Sequence, residues 1–328
     1  MTGMTSHELH NPAIGIDVGG TKIAAALVDE AGNMSHHMVR DTPGADPRAV
    51  EAAISDAVST LSGFAPADVC AVGVGAAGWM DRSGSTVVFS PHLAWRNEPL
   101  RESLEATLSR NVLVINDADA AGWAEYTFGA GAHESHLVML TLGTGIGGSM
   151  VFSGSLVRGR YGLAGEFGHQ VLVPDGHVCE CGNRGCWEQY ASGNALGREA
   201  RALAAAGSPM AAGILDDADG DIARITGALV TRRALAGDAT CIEMIQDVGQ
   251  WLGLGMANLA AALDPGTFVI GGGLSAAGSL LLEPARRTFS RNLTGRGFRQ
   301  SARIEIATLG AHAGLIGAAD LARRSLEK

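Results

Sequence analysis

The chain opens with an apolar run, Ile14–Val18 (IGIDV), then Gly-Gly-Thr-Lys, then a second apolar run, Ile23–Asp29 (IAAALVD). Two short apolar runs joined by a tight Gly-rich turn read as a β-hairpin. Glu30–Asn33 (EAGN) supplies a second turn, and a third strand is expected over Met34–Arg40. From Pro47 to Ser62 apolar residues recur at helical spacing. Asp46 is placed to cap the first free backbone N–H groups, and Pro47 suits the first helical position, where no N–H is needed. VCAVGVGAAG (69–78) reads as a buried strand ending in a Gly-rich turn, Leu100–Leu108 as a helix and VLVIND (112–117) as another buried strand. Strands buried between helices make an α/β layer architecture.

A second module is expected to start near Asp119, with a helix over ADAAGWAEYTFGAG (118–131). LVMLTLGTGIGGSMVFSGSLV (137–157) then repeats the opening theme of strand, Gly/Thr turn and strand, an internal echo about one domain length downstream. Helical spacing covers Asn194 to about Ala236 and again Thr240–Leu263. TFVIGGGLS (267–275) reads as strand, Gly turn and helix start, and Ala311–Leu326 as a closing helix packed back on the first module.

With 328 residues, 46% of them hydrophobic and 18% charged, the chain can bury cores for two domains. Its net charge of −10 and lack of any basic stretch argue against nucleic-acid or anionic-membrane partners. The first dozen residues lack the basic and apolar regions of a signal peptide, and no apolar run approaches a membrane span. A reducing, cytoplasmic setting is therefore expected, in which clustered cysteines point to metal or redox chemistry before disulfides. Glycine is abundant, at 46 residues, and sits in short clusters. Such clusters mark close backbone approach or turns of positive φ.

Three of the clusters lie at strand ends. Asp17–Lys22 (DVGGTK) lacks the spacing of a P-loop or a dinucleotide fingerprint. Its Gly19, Gly20, Thr21 and Lys22 could still face an anion, with Asp17 positioning Mg²⁺ through water. A plain hairpin turn is the alternative. Leu142–Gly148, with Thr144, Gly145 and Gly147, and the run Gly271, Gly272 and Gly273 are loops of the same kind. The three together fit a nucleotide site.

GIDVGGTK, INDADAA, LGTGIGG, GEFGH and CECGNRGCWE resemble, in order and spacing, the motifs of the ROK (repressor, open reading frame, kinase) family, from Ile14 to the last helix. The resemblance implies an α/β, actin-like (ribonuclease H-like) ATPase fold of two lobes with ATP and sugar in the cleft. The smaller lobe would hold residues 1–121 and 311–328, and the larger 122–310 with a metal-binding sugar loop. The implied activity is ATP-dependent phosphorylation of the glucose 6-hydroxyl. Another hexose (N-acetylmannosamine, N-acetylglucosamine, mannose or fructose), polyphosphate as donor, or a non-catalytic sugar sensor stay as alternatives. ROK repressors carry an N-terminal winged helix, whereas thirteen residues precede Ile14 here. ROK kinases are often homodimers or homotetramers.

His169 precedes Cys179, Cys181 and Cys186 in an H-x9-C-x-C-x4-C array, the Cys₃His composition of a closed, structural zinc site. Gly182 and Gly185 would let the chain wrap the ion, and free thiols are the alternative. Cys70 and Cys241 read as buried small hydrophobes. Transfer to an alcohol needs a base near the attacking hydroxyl. Asp117, ending a buried strand, stands where ROK kinases place theirs. If Asn-Asp merely caps the next helix, Asp117 loses that role, and the cap is assigned instead to Asp119. By resemblance, Gly78, Asn116, Asp117, Glu166, His169 and Glu188 hold the sugar. The zinc would fix one ring nitrogen of His169 and leave the other for a sugar hydroxyl. Asp81 receives no role. The five tryptophans read as packing, with Trp79 and Trp187 left open.

Overall fold

The computed structural model describes residues 11–65 and 68–326. The segment expected to lack a signal peptide lies, before Asn11, outside the described residues. Among the described residues, no helix is long and apolar enough to cross a membrane.

The chain forms two compact units. The first comprises residues 1–133, 154–164 and 308–328. Its strands are β1 (Ala13–Val18), β2 (Lys22–Val28), β3 (Met34–Asp41), β4 (Val72–Ala76), β5 (Trp79–Met80), β6 (Val87–Phe89), β7 (Arg96–Glu98) and β8 (Val112–Asn116). Its helices are α1 (Pro47–Ser62), α2 (Leu100–Leu108), α3 (Asp117–Phe128) and a C-terminal helix, Ala313–Ser325. The main sheet runs β3-β2-β1-β4-β8. β1 pairs antiparallel with β2 and parallel with β4, and β4 pairs parallel with β8. The expected hairpin, third strand and first two helices all form. Asp46 caps α1 by accepting from Arg48 N.

Strand alternation explains the two faces of this sheet, since successive side chains point to opposite sides. Ile14, Ile16, Val18, Val72 and Val74 belong to a core with Ile54, Val58 and Leu61 of α1 and with Leu100 and Leu104 of α2. Each such side chain stabilises by roughly 1.5–3 kcal/mol when fully buried. Between Ile14 and Ile16, and between Val72 and Val74, the intervening positions are glycines. A Cβ at Gly15 would strike the Leu315 carbonyl, and one at Gly73 the Ala318 carbonyl. Gly317 stands in the same relation to Ala120 of α3. The C-terminal helix therefore lies almost directly on the backbone of β1 and β4. Gly15, Gly73 and Gly317 thus serve close packing rather than turns.

The second unit comprises residues 134–153 and 165–307. Its elements are β9 (His136–Leu142), β10 (Ile146–Phe152), α4 (Glu188–Ala191), α5 (Gly193–Ala205), α6 (Ala212–Asp216), α7 (Gly227–Leu235), α8 (Ala239–Leu263), β11 (Thr267–Gly271), α9 (Ser279–Asn292) and β12 (Arg303–Ile306). Four strands run β10-β9-β11-β12, with one antiparallel pair followed by two parallel pairs. Position by position this repeats β2-β1-β4-β8, so the sequence echo is a topological one. Fully buried Trp187 packs under Gly255 of α8, where a Cβ would collide with the indole. Trp187 Nε1 donates to the Trp251 carbonyl.

The division differs from the expected one. α3 stays in the first unit, because Gly317 lets it pack on the C-terminal helix and Trp123 Nε1 donates to the buried Asp320 (2.8 Å). The second unit starts at Glu134, and 154–164 returns to the first. The helical stretch expected over 194–236 is broken into α5, α6 and α7. Ser208-Pro209 ends one segment and Asp219-Gly220, both of positive φ, another. Cys241 is buried as expected, whereas Cys70 is only partly so.

Candidate active site

Parallel pairing brings strand ends together in the first unit. Asp17 lies opposite Gly75, and Ala76 opposite Asn116, so Asp17 and Asp117 sit at the same end of the sheet. Burial pushes the Asp17 carboxyl up to about 7, and the charge of Asp117 adds to the rise. Burial also raises Asp117, against a hydrogen bond from Ala118 N (3.0 Å) and the nearby His92, which lower it. Two carboxyls in one poorly solvated place resist ionising together. A cation or a proton acceptor's task would resolve the conflict.

Asn116, not Asp119, caps α3. Its Oδ1 accepts from Asp119 N (3.0 Å), and its Nδ2 donates to the Gly78 carbonyl (3.0 Å). The Asp119 side chain is buried and meets Arg158 Nε at 3.2 Å. The expected cap thus moves three residues upstream of Asp119, because the Asn amide serves cap and carbonyl at once. Asp117 is left clear of capping. Gly78 has φ +152 and no room for a Cβ beside the Phe89 carbonyl, so only glycine fits. In the β1–β2 turn, Gly19 N donates to Lys22 O (2.9 Å), and Thr42 holds Gly19 O and Thr21 O. Thr21 and Lys22 are exposed. Asp81 accepts from Ser85 N and Thr86 N and is a turn residue, in keeping with its having no assigned role. His92 packs against Gly20 and bears on Asp117, yet a lone histidine in a loop carries no spacing signal, and sequence reading passed over it.

In the second unit the β9–β10 turn holds Thr144, Gly145 and Gly147. Gly193 N donates to Gly143 O (2.8 Å) and Asn194 N to Thr144 O (3.2 Å), tying the turn to the start of α5. Gly272, at φ +80, lies against Leu142, where a side chain would meet its backbone. The structure thus brings Gly271–Gly273 to the Thr144–Gly147 turn. The Asp17–Lys22 turn belongs to the first unit.

His169, Cys179, Cys181 and Cys186 converge, with all four ligand atoms within 4.8 Å of one another. Cys179 Sγ lies 3.6 Å from His169 Nδ1, and Cys181 Sγ 3.6 Å from Cys186 Sγ. Ligands about 2.3 Å from a tetrahedral zinc stand about 3.7 Å apart, so the donor set fits the ion in composition and spacing. Gly182 and Gly185 have φ of +96 and +75. A side chain at Gly185 would strike the Val173 carbonyl, so the wrap needs glycine there. Burial, and with it Glu188 and the other thiols, pushes the Cys179 thiol up. A divalent cation would reverse that preference and hold thiolates.

The sugar-site candidates of this unit surround the same histidine. Glu188 Oε1 is 3.5 Å from His169 Nδ1 and 3.2 Å from Cys179 Sγ, and Glu188 Oε2 is 3.4 Å from Ile146 N. Glu166 Oε2 is 3.8 Å from His169 Nε2. One ring nitrogen therefore faces the thiols and the other faces away. A separate cavity of about 970 Å³, lined in part by Tyr190, Arg198, Met244 and Trp251, contains none of the sequence-predicted residues.

A family model described as the ROK family matches residues 13–325. The chain belongs to the ROK family. Among its relatives, the glucokinase of Streptomyces coelicolor is 46% identical over 311 residues, covering 94% of this chain and 97% of that one. The N-acetylmannosamine kinase of Escherichia coli is 33% identical over 318 residues, covering 94% and 98%. A solved ROK glucokinase from Streptomyces griseus, in complex with glucose and AMPPNP, superposes with a TM-score of 0.87 at 45% identity, covering 95% of this chain and 99% of that one. The fold of this ROK protein is thus that of the ROK kinases, as its motifs implied.

Proposed function

We propose that this ROK protein phosphorylates the 6-hydroxyl of glucose with Mg·ATP. The observation that carries this reading is the 46% identity, over nearly the whole length, to a glucokinase. The residues make chemical sense of it. Asp117 would accept the 6-hydroxyl proton as the oxygen attacks the γ-phosphoryl group, and its raised affinity for protons suits a base. Asn116 and Gly78 would line the 4- and 6-hydroxyl side. Glu166, His169 and Glu188 would grip the 1- and 2-hydroxyl end, with His169 Nε2 turned from the thiols toward it.

Gly19, Gly20, Thr21 and Lys22, with Thr144, Gly145, Gly147 and Gly271–Gly273, would receive the nucleotide. Asp17 would hold Mg²⁺ through water, and the ion would neutralise phosphate charge. Zinc on His169, Cys179, Cys181 and Cys186 would brace the loop and supply no open position for chemistry. A cytoplasmic setting would have ATP at hand, and the resemblance favours a homodimer or homotetramer.

A coupled assay over hexoses and over ATP and polyphosphate tests the reading. Glucose should exceed N-acetylglucosamine and N-acetylmannosamine by at least ~10²-fold in kcat/KM, because an acetamide leaves buried polar groups unpaired. An N-acetylated sugar used as well as glucose would favour the second reading. That reading rests on the 33% identity to N-acetylmannosamine kinase. No turnover of any hexose would favour a sensor.

A further inference from the structure

Glu125 lies in the last turn of α3 and is fully buried. A buried carboxylate is costly unless donors surround it. Here Oε2 accepts from Ala130 N (2.8 Å) and from Thr308 Oγ1 (3.3 Å), and Oε1 accepts from Leu309 N (2.7 Å). Gly129 makes room, because a Cβ there would collide with Oε2. Glu125 also accepts at its backbone carbonyl from Gly129 N and Gly131 N.

The partners are special for where they stand in the chain. The chain first leaves the first unit between His133 and Glu134, and it returns for the last time between Ala307 and Thr308. One carboxylate therefore joins the exit segment, through Ala130, to the return segment, through Thr308 and Leu309. It does so from the helix whose first residue is Asp117. That helix is a stiff rod with the proposed base at one end and this clasp at the other.

We propose that Glu125 is a positioning residue for phosphoryl transfer. It references the exit and return segments to α3, so that Asp117 meets the substrate in one repeatable geometry. Small misplacements far from the chemistry suffice to slow a reaction that depends on alignment. The inference rests on the kinase reading above and adds a residue to it that touches neither sugar nor nucleotide.

The test is Glu125→Gln, which keeps the volume but turns one acceptor into a donor facing an N–H group. Turnover, glucose affinity, melting temperature and amide exchange are read on the same full-length, zinc-loaded protein. We expect kcat to fall about 10-fold, the cost of one well-aligned charged hydrogen bond, with glucose Kd changed less than about 3-fold. Exchange at the Ala130 and Leu309 amides should quicken. Thr308→Val removes only the longest of the three bonds and should lower kcat by about 2–3-fold, without loss of folding. If Glu125→Gln fails to fold, Thr308→Val decides. Wild-type kcat in the folded variants, whatever their melting temperature, overturns the proposal and leaves Glu125 a structural residue. Wild-type protein that turns over no hexose is a different failure, that of the kinase reading.

Discussion

The hairpin of β1 and β2 and the hairpin of β9 and β10 occupy the same place in sheets of the same strand order, yet they carry chemistry in different ways. In the first unit the carboxylates proposed for function stand at the end of the sheet. Asp17 is the penultimate residue of β1, and Asp117 directly follows β8, so both are placed by their strands. In the second unit the polar groups lie outside the sheet, Glu166 and His169 in the stretch between Gly165 and α4 and Glu188 at the start of α4. That stretch carries a set of positive-φ glycines and the four convergent side chains proposed to hold zinc. A repeated scaffold can thus be given function either from its strand ends or from a loop that needs its own brace. The two solutions should fail differently.

The largest effect is expected where position comes from the sheet. Asp117→Asn should lower kcat by the ~10²–10⁴ of a lost general base while leaving glucose affinity nearly intact. Because burial already works against a charge at Asp117, the neutral amide should not lower the melting temperature. A variant with a tenth of wild-type turnover would remove Asp117 from the role.

The second unit should break by loss of its brace. Freshly purified protein should contain one zinc per chain, and metal analysis finding none would refute the ligand set. Chelation or Cys181→Ser should cost several kcal/mol, roughly 5–15 °C for a unit of this size, and should weaken glucose binding in parallel. Hydrogen exchange should quicken over 165–191 while β1, β4 and β8 stay protected. Equal loss of protection in both units would show that the metal supports more than its own loop.

The contrast also explains what was legible in the sequence. Ile14–Val28, Pro47–Ser62 and Leu100–Leu108 could be read almost to the residue, because alternation, helical spacing and an Asp-Pro start are local signals. The convergence of His169 with Cys179, Cys181 and Cys186 was legible for the same reason, since their spacing is itself a local signal. Features set by tertiary packing were not. Valine and glycine alternate in VGVG because one sheet face meets α1 and α2 while the other meets the C-terminal helix at backbone distance, and no local window contains that helix. The same helix holds α3 in the first unit, and so it set the boundary that the sequence placed too early. Asn116 took the cap expected of Asp119 because Arg158, 39 residues further on, claims the Asp119 carboxylate. His92 and Glu125 carry no local signal, because each meets partners distant in sequence.

Acidity sharpens the comparison further. The Asp17 carboxyl sits at about 7, well above an unfolded aspartate. In the ligand-free protein its contribution to stability is therefore full below about pH 4 and is lost as pH rises through 7, because the unfolded chain ionises more readily. Asp17→Asn should remove that dependence. It should raise the melting temperature at pH 8 by a few degrees, at about 2–4 °C per kcal/mol, and change it little at pH 4. A stability profile with the same slope in both proteins would show that Asp17 is charged and already compensated.

The smallest effect compares the two hairpin tips directly. Neither Gly19 nor Gly145 has a positive φ, so replacing either with alanine tests space and not backbone strain. At Gly19 the nearest atom to an added methyl is Lys22 O at 3.4 Å, which leaves ordinary room. At Gly145 the methyl would fall on Glu188 Oε2. A side-chain end can swing away cheaply, so folding should survive, but the carboxylate proposed to grip the sugar would be displaced. Gly145→Ala should therefore raise the glucose KM by about 2–10-fold, the value of one hydrogen bond, while Gly19→Ala leaves it within about twofold. In a Glu188→Ala background the Gly145→Ala effect should vanish, because the group it acts through is gone. An undiminished effect in that background would mean that Gly145 matters through its own backbone, as a phosphate loop would, and that the two tips do the same work after all.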